Sequence, residues 1–203
     1  MQNSITATIL VCTLSPSPKK SSSELIAKEL ADEFEKHDVA CNIIRVADYR
    51  IKFGVEKDMG DGDEWSSIRE RVVGSDILII STPIWMGQPS SVAKMVLERL
   101  DAELAEFDDD GRPLMYGKVA SVAAVGNEDG AHHTSAEIFQ ALTDVGFTIP
   151  AGGPTYWVGE AMASTDYQDL AHKPQKTQHT TKIVAVNSLH LARLLKQHNY
   201  PVS

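Results

Sequence analysis

Residues 75–100 read SDILIISTPIWMGQPSSVAKMVLERL. The run DILIIS is apolar at nearly every step, not at alternate steps. Such a strand is covered on both faces, as in a parallel sheet sandwiched between helices. From Ser90 the spacing changes: Val92, Val96, Leu100 and Leu104 recur at helical intervals and are expected to face the core. Between strand and helix lies a short loop. Pro83 has no N–H and is expected to end the strand. Gly87 gives the backbone freedom that other residues lack. Ile84, Trp85 and Met86 sit between them at the mouth of a buried strand.

The same alternation extends in both directions. TATILVCTL (6–14), VACNIIRVAD (39–48), KVASVAAVG (118–126) and the short FTIPAGG (147–153) read as further strands. Helical patterns occupy 22–37, with Ser23 as N-cap, 64–75, closed by Gly74, 131–146 and 180–198. Alternating strands and helices of this kind make an α/β domain. Right-handed crossovers then point to a doubly wound five-stranded parallel sheet, order 2-1-3-4-5. Residues 1–203 are expected to form one domain, with no internal repeat. Three longer irregular stretches, 50–64, 106–117 and 152–176, are the sort that carry function or move.

Composition narrows the partners. The 203 residues carry a net charge of −9, which argues against a nucleic-acid binder or a protein held on acidic lipid. No apolar run is long enough to span a bilayer. The amino terminus has no basic leader and runs straight into a strand, so a mature, cytoplasmic chain is expected. The two cysteines, Cys12 and Cys41, fall inside strands and read as small core hydrophobes. Neither belongs to a CxxC pair, so neither a disulfide framework nor a cysteine-built cluster is indicated.

In open α/β sheets ligands bind beyond the carboxyl ends of the strands, where strand order reverses. Three loops lie there. LSPSPKKSSSE (14–24) offers Ser15, Ser17, Ser21, Ser22 and Ser23 with Lys19 and Lys20, at the start of a helix. Hydroxyls, free N–H groups and the helix dipole together suit a terminal monophosphate. The loop matches neither the P-loop nor the GxGxxG pattern. Its plainer reading is a flexible Ser/Pro loop with a good cap. The Pro83–Gly87 loop offers backbone donors and acceptors with an apolar plate, as a flat heteroaromatic ligand requires. Alternatively, Trp85 plugs the core or fills an interface. In the third loop, VGNEDGAHHTS (125–135), Gly126 and Gly130 bracket Asn127, Glu128 and Asp129. This loop either lines the other edge of a flat ligand or simply caps a helix through Asp129. Glu128, Asp129, His132 and His133 have no wider ligand constellation, so no metal site is assigned. His133 is a candidate proton donor near a redox ring.

Taken together, these three loops resemble the flavodoxin-like NAD(P)H-dependent FMN reductase family, which includes flavin-dependent quinone reductases and iron–sulfur flavoproteins. The likeness runs from Thr6 to about Gly153 and is most specific over 75–101. In that family TP-(I/V)-(Y/W)-x-G-x-(P/M)-(P/S) follows the third strand and wraps the isoalloxazine ring. Thr82, Pro83, Ile84, Trp85, Met86 and Gly87 match it. The resemblance implies Ser15, Ser21, Ser22 and Ser23 as phosphate ligands. This chain lacks the glycine and arginine of the family's usual GSxRxxSxT loop and has Pro16 and Pro18 instead. The cysteine cluster of the iron–sulfur branch is absent. The resemblance further implies non-covalent FMN held partly by backbone at Trp85–Gly87 and Asn127–Gly130. NAD(P)H is the implied electron donor. A small acceptor such as a quinone or free flavin would be served by a ping-pong cycle, in a homodimer or homotetramer. Two other readings stay open: a flavodoxin-type electron carrier, and a flavodoxin-like binding protein without cofactor.

Overall fold

The computed structural model describes residues 4–160 and 163–202. Six strands and five helices alternate: β1 Thr6–Val11, α1 Ser22–Glu35, β2 Ala40–Arg45, α2 Trp65–Val73, β3 Ile77–Trp85, β4 Gln88–Pro89, α3 Ser91–Leu100, β5 Val119–Gly126, α4 Ala131–Val145, β6 Pro154–Val158 and α5 Gln175–Gln197. The sheet order is β2-β1-β3-β5-β6, all parallel, with the two-residue β4 folded back antiparallel on β3. With that hairpin set aside, this is the flavodoxin-like 2-1-3-4-5 order.

The period of two explains why the strands are apolar throughout. Along β3, Ile77 and Ile79 enter one core, while Leu78 and Ile80 enter the other. The first core is closed by Ile26, Leu30 and Phe34 of α1 and by Val184, Leu189 and Ala192 of α5. The second is closed by Trp65, Ile68 and Val72 of α2, Val96 and Leu100 of α3, and Ile138 and Leu142 of α4. Cys12 is fully buried and Cys41 half-buried. Burial pushes both thiols up, Cys41 to about 12 with help from the Glu35 charge.

Several boundaries differ from the sequence-based expectation. Pro83 does not end β3. Pairing with β1 stops at Ser81, while pairing with β5 continues to Pro83, so the proline sits where one side of the strand is already free. The last strand is 154–158, not 147–153. In the expected stretch only Thr148 bridges to Val119, and the chain turns at Gly152, φ +66°. The α1 cap is Ser21, whose Oγ accepts from Glu24 N–H at 3.3 Å, and not Ser23. The cap of α4 is Gly130, φ +111°, rather than Asp129. Helix α3 ends at Leu100 and passes into a 3₁₀ turn over 101–105, which leaves Leu104 half-exposed. Helix α5 starts at Gln175, five residues before the expected Thr180. Residues 1–3 of the amino-terminal stretch, and 161–162 of the long segment after β6, lie outside the described residues.

Candidate functional site

The carboxyl ends of β1, β3, β5 and β6 open onto one cleft of about 280 Å³. Ser15, Lys19, Lys20, Ser21, Ser22 and Ser23 line it on the side of the loop after β1. The loop after β1 is anchored from several sides. Asp48 accepts from the Ser17 N–H at 2.6 Å and from its hydroxyl at 2.7 Å. These two bonds, backbone first, hold the Asp48 carboxyl below the usual range. Arg45 Nε donates to the Ser15 carbonyl at 2.8 Å. Ser81 Oγ donates to the Ser23 carbonyl at 2.7 Å, which fixes α1 to β3. The first turn of a helix leaves N–H groups without intrahelical partners, and Ser22 and Ser23, in the first turn of α1, line the cleft.

The opposite end is built by the β3–β4 hairpin. Met86 and Gly87 both take positive φ, +52° and +72°. Two such residues make the tight turn that suits the twist of a hairpin. Methionine is an unusual occupant there, and the conformation is strained for it. Glu128 supports the turn by accepting from the Met86 N–H at 2.8 Å. Gly130 approaches so closely that an added Cβ would lie 2.5 Å from the Gly87 Cα. The result is a fixed platform with Pro83, Ile84 and Trp85 along the cleft and Trp85 51% exposed. An indole that open is not a core plug. Gly126 and Asn127 line the next edge.

The geometry thus sorts the candidate residues. Ser15, Ser21, Ser22, Ser23, Pro83, Ile84, Trp85, Gly126 and Asn127 line the cleft. Ser17 does not line it, because Asp48 holds both its N–H and its hydroxyl. Thr82 is fully buried and accepts from the Ser90 N–H at 3.1 Å. Met86, Gly87, Glu128 and Gly130 shape the platform from behind, and Asp129 is also outside the lining. His133 Nε2 meets Gln88 Oε1 at 3.1 Å, away from the cleft lining. His132 instead meets the Tyr156 hydroxyl at 2.9 Å. Among the described residues, no group of three or more His, Cys, Asp or Glu is placed to hold a metal.

One wall was not foreseen. Trp157 of β6 and Asp166, Tyr167 and Gln168 beyond it line the same cleft. Their segment docks on α1. The Gln168 N–H donates to Ser22 Oγ at 3.2 Å, and the Tyr167 hydroxyl donates to Glu29 Oε2 at 2.6 Å. Burial first, then Glu29, raises the Tyr167 phenol, so it stays a donor. The Trp157 and Tyr167 ring centroids lie 5.5 Å apart. Trp157 and Tyr167 therefore line their own chain's cleft. The available signal was the aromatic run TYWV, hidden because the last strand was placed seven residues too early.

The donor set fits FMN. One end offers hydroxyls, ammonium groups and a helix N-terminus to a phosphate. The other offers an aromatic plate and a rigid backbone edge to a flat ring. Gln168, in the wall of the same cleft, has a buried Oε1 without a protein partner. Fold and cleft define a flavodoxin-like flavin-binding protein.

Residues 9–163 match the family described as NADPH-dependent FMN reductase, and the chain belongs to that family. It is 31% identical over 207 residues to the 8-demethyl-8-aminoriboflavin-5′-phosphate synthase of Streptomyces davaonensis, covering 96% of this chain and 79% of that one. It is 32% identical over 197 residues to a protein of Mycobacterium bovis named divalent metal cation transporter MntH. That match covers 94% of this chain but only 29% of the much longer relative. Among the described residues, no helix is long and apolar enough to cross a membrane. The crystal structure of RosB with bound 8-demethyl-8-formylriboflavin-5′-phosphate superposes with a TM-score of 0.88 at 30% identity, covering 97% of this chain and 82% of that one. Family and relatives support an FMN-dependent enzyme, an NAD(P)H oxidoreductase in general terms, with NAD(P)H as donor.

Proposed function

We propose that the chain holds FMN in this cleft and uses it to pass hydride from NAD(P)H to a small acceptor, such as a quinone or a free flavin. The observation that carries the reading is the meeting of phosphate donors and aromatic platform in one cleft at the topological switch. When bound, FMN supplies the two-electron chemistry. Ser15, Ser21, Ser22 and Ser23, with Lys19 and Lys20, hold its phosphate. The backbone from Pro83 to Trp85 and from Gly126 to Asn127 orients the ring. Trp157 and Tyr167 keep water from its edge. Trp85 is half-exposed, so this wall of the cleft would leave donor and acceptor access to a bound flavin in turn, as a ping-pong cycle requires. His133 Nε2 meets Gln88 Oε1 away from the cleft lining, so a His133→Ala variant should keep its pH–rate profile.

Membership of the FMN reductase family supports a homodimer or homotetramer. Light scattering of the purified protein should give two or four times the chain mass.

The similarity to RosB and to the synthase favours a second reading, in which the flavin phosphate itself is altered. Two measurements separate the readings. Anaerobic mixing of the FMN-loaded protein with NADPH or NADH should bleach the flavin within a turnover time and release unaltered FMN by mass. Bleaching only through an added reductase partner would indicate an electron carrier. A changed flavin mass would indicate the second reading, and a protein that cannot be loaded with FMN would sink all three.

A further inference from the structure

Among the described residues, a single acidic side chain lines the cleft, that of Asp166. It lies beyond residues 9–163, the stretch that matches the family. Asp166 occupies the N-cap position of the 3₁₀ turn 167–169. Aspartate is favoured at such positions because its carboxylate accepts from free N–H groups of the turn. Here the side chain makes no capping bond. The turn closes through backbone instead, with the Asp169 N–H donating to the Asp166 carbonyl at 2.9 Å. The carboxylate reaches the loop after β5, where Asn127 Nδ2 donates to Oδ1 at 3.4 Å, long for such a bond. Asn127 lines the same cleft. Asp166 is half-buried, and its Oδ2 takes no hydrogen bond but is not sealed from solvent. The turn that carries it is fastened to α1 through Tyr167 and Gln168. The wall of the cleft therefore holds an accessible carboxylate whose acceptor capacity is largely unused.

A carboxylate is acceptor-only when ionised, so only a ligand that brings a donor can answer it. A flavin phosphate has two kinds of donor, the hydroxyls of its chain and the imide N–H of its ring. Its phosphate and ring carbonyls are acceptors. We propose that Asp166 is a flavin-binding residue whose free oxygen accepts a hydrogen bond from one of these donors. The inference rests on the FMN reading of the cleft. It adds a contact to the body of the flavin beside the serine loop's grip on the phosphate. Phosphate donors alone would admit many monoesters. A carboxylate in the wall disfavours a further anionic group and rewards a ligand that donates to it, so Asp166 determines specificity for the flavin. It acts from the segment after β6, not from the loops at the strand ends.

The test titrates the flavin-free protein, wild type and Asp166→Ala, with three ligands, followed by flavin fluorescence. They are FMN, 3-methyl-FMN, which lacks the imide N–H, and a flavin phosphate whose chain carries no hydroxyls. Asp166→Ala should weaken FMN binding about tenfold, although it removes a negative charge from a cleft that takes a dianion. Asp166→Asn keeps one acceptor oxygen and should weaken it about threefold. The loss caused by Asp166→Ala should vanish with one analogue and persist with the other. Loss of the effect with 3-methyl-FMN assigns the imide N–H, and loss with the hydroxyl-free chain assigns a hydroxyl. Unchanged or tighter FMN binding by Asp166→Ala would overturn the proposal, since the carboxylate would then be idle or merely repulsive. So would an equal loss with all three ligands, which would make Asp166 a structural part of the wall. A wild type that binds none of the three ligands would bring down the FMN reading itself and the assignment with it.

Discussion

Two stretches that read alike as long and irregular in the sequence, 50–64 and 152–176, do opposite jobs, the second through its part beyond β6. The first is a structural cover. Arg99 of α3, fully buried, donates to the carbonyls of Lys52 and Glu56 and pairs with Asp63 at 2.7 Å, while its guanidinium lies over Trp65. None of its residues lines the flavin cleft. The second segment carries Asp166, Tyr167 and Gln168 into that cleft and is fastened by hydrogen bonds to Ser22 and Glu29. Loop length did not separate them. What separates them is the helix each docks on. The first is nailed to the far layer by a buried charge, and the second rests on the helix whose N-terminus lines the proposed phosphate end of the cleft.

The comparison breaks if charge at Asp63 affects the cleft. Asp63→Asn leaves Arg99 buried without its counter-ion, which should cost about 3–5 kcal/mol. Urea unfolding should show that loss, while FMN binds the still-folded variant with unchanged affinity. An FMN dissociation constant that rises in step with the lost stability would merge the two segments into one.

Acid should find the same site. Burial alone would raise the Asp63 carboxyl. The N–H groups of Met59 and Lys52, together with Arg99 and the Trp65 N–H, outweigh it and hold it at about 2. An unfolded aspartate titrates near 3.9, about two units higher, so this group contributes about 2.6 kcal/mol. A depressed carboxyl stabilises above its unfolded value. The contribution is therefore complete above about pH 4 and is lost as pH falls through about 2. Stability measured against pH should drop over that window in the wild type, and Asp63→Asn should lack the increment.

The serine loop supplies the next contrast, now within the site. Ser22→Ala removes a hydroxyl that faces the cleft and accepts from Gln168, and it should weaken FMN binding about tenfold. Ser17→Ala removes a hydroxyl that Asp48 already holds, and it should change FMN binding less than about twofold. Equal effects would mean that the loop acts through its overall shape and not through its directed groups.

Much of this was legible, for identifiable reasons. The run Ile77–Ile80 could only be a strand covered on both faces, and its residues do divide between the two cores. The loops after β1, β3 and β5 were findable because strand ends in this topology are where ligands bind. Ser23 reads as the cap from sequence, and only the Glu24 N–H at 3.3 Å chooses Ser21 among the three adjacent serines. The hairpin turn was hidden because Met86 has none of the residue types that favour positive φ. The wall at 157–168 was illegible for a deeper reason. Its fastenings, Tyr167 to Glu29 and Gln168 to Ser22, join residues 138 and 146 positions apart. No local periodicity encodes such pairs.

Tyr167→Phe tests that wall with the least disturbance. The ring stays against Trp157, and only the hydroxyl is lost. Glu29, 9% exposed, keeps Lys173 at 2.8 Å but loses its 2.6 Å donor. A missing bond of this kind should cost about 1 kcal/mol. That cost falls on docking of the segment, because α1 and the sheet are held by other contacts. Limited proteolysis should then cut within 159–174 several-fold faster, while the urea midpoint moves little. FMN binding should weaken about threefold, because a wall that spends more time undocked shields the flavin less. If proteolysis quickens but FMN affinity holds, the segment is a cover like 50–64 and the contrast between the two dissolves. If both respond together, the fastening on α1 is what makes this segment part of the flavin site.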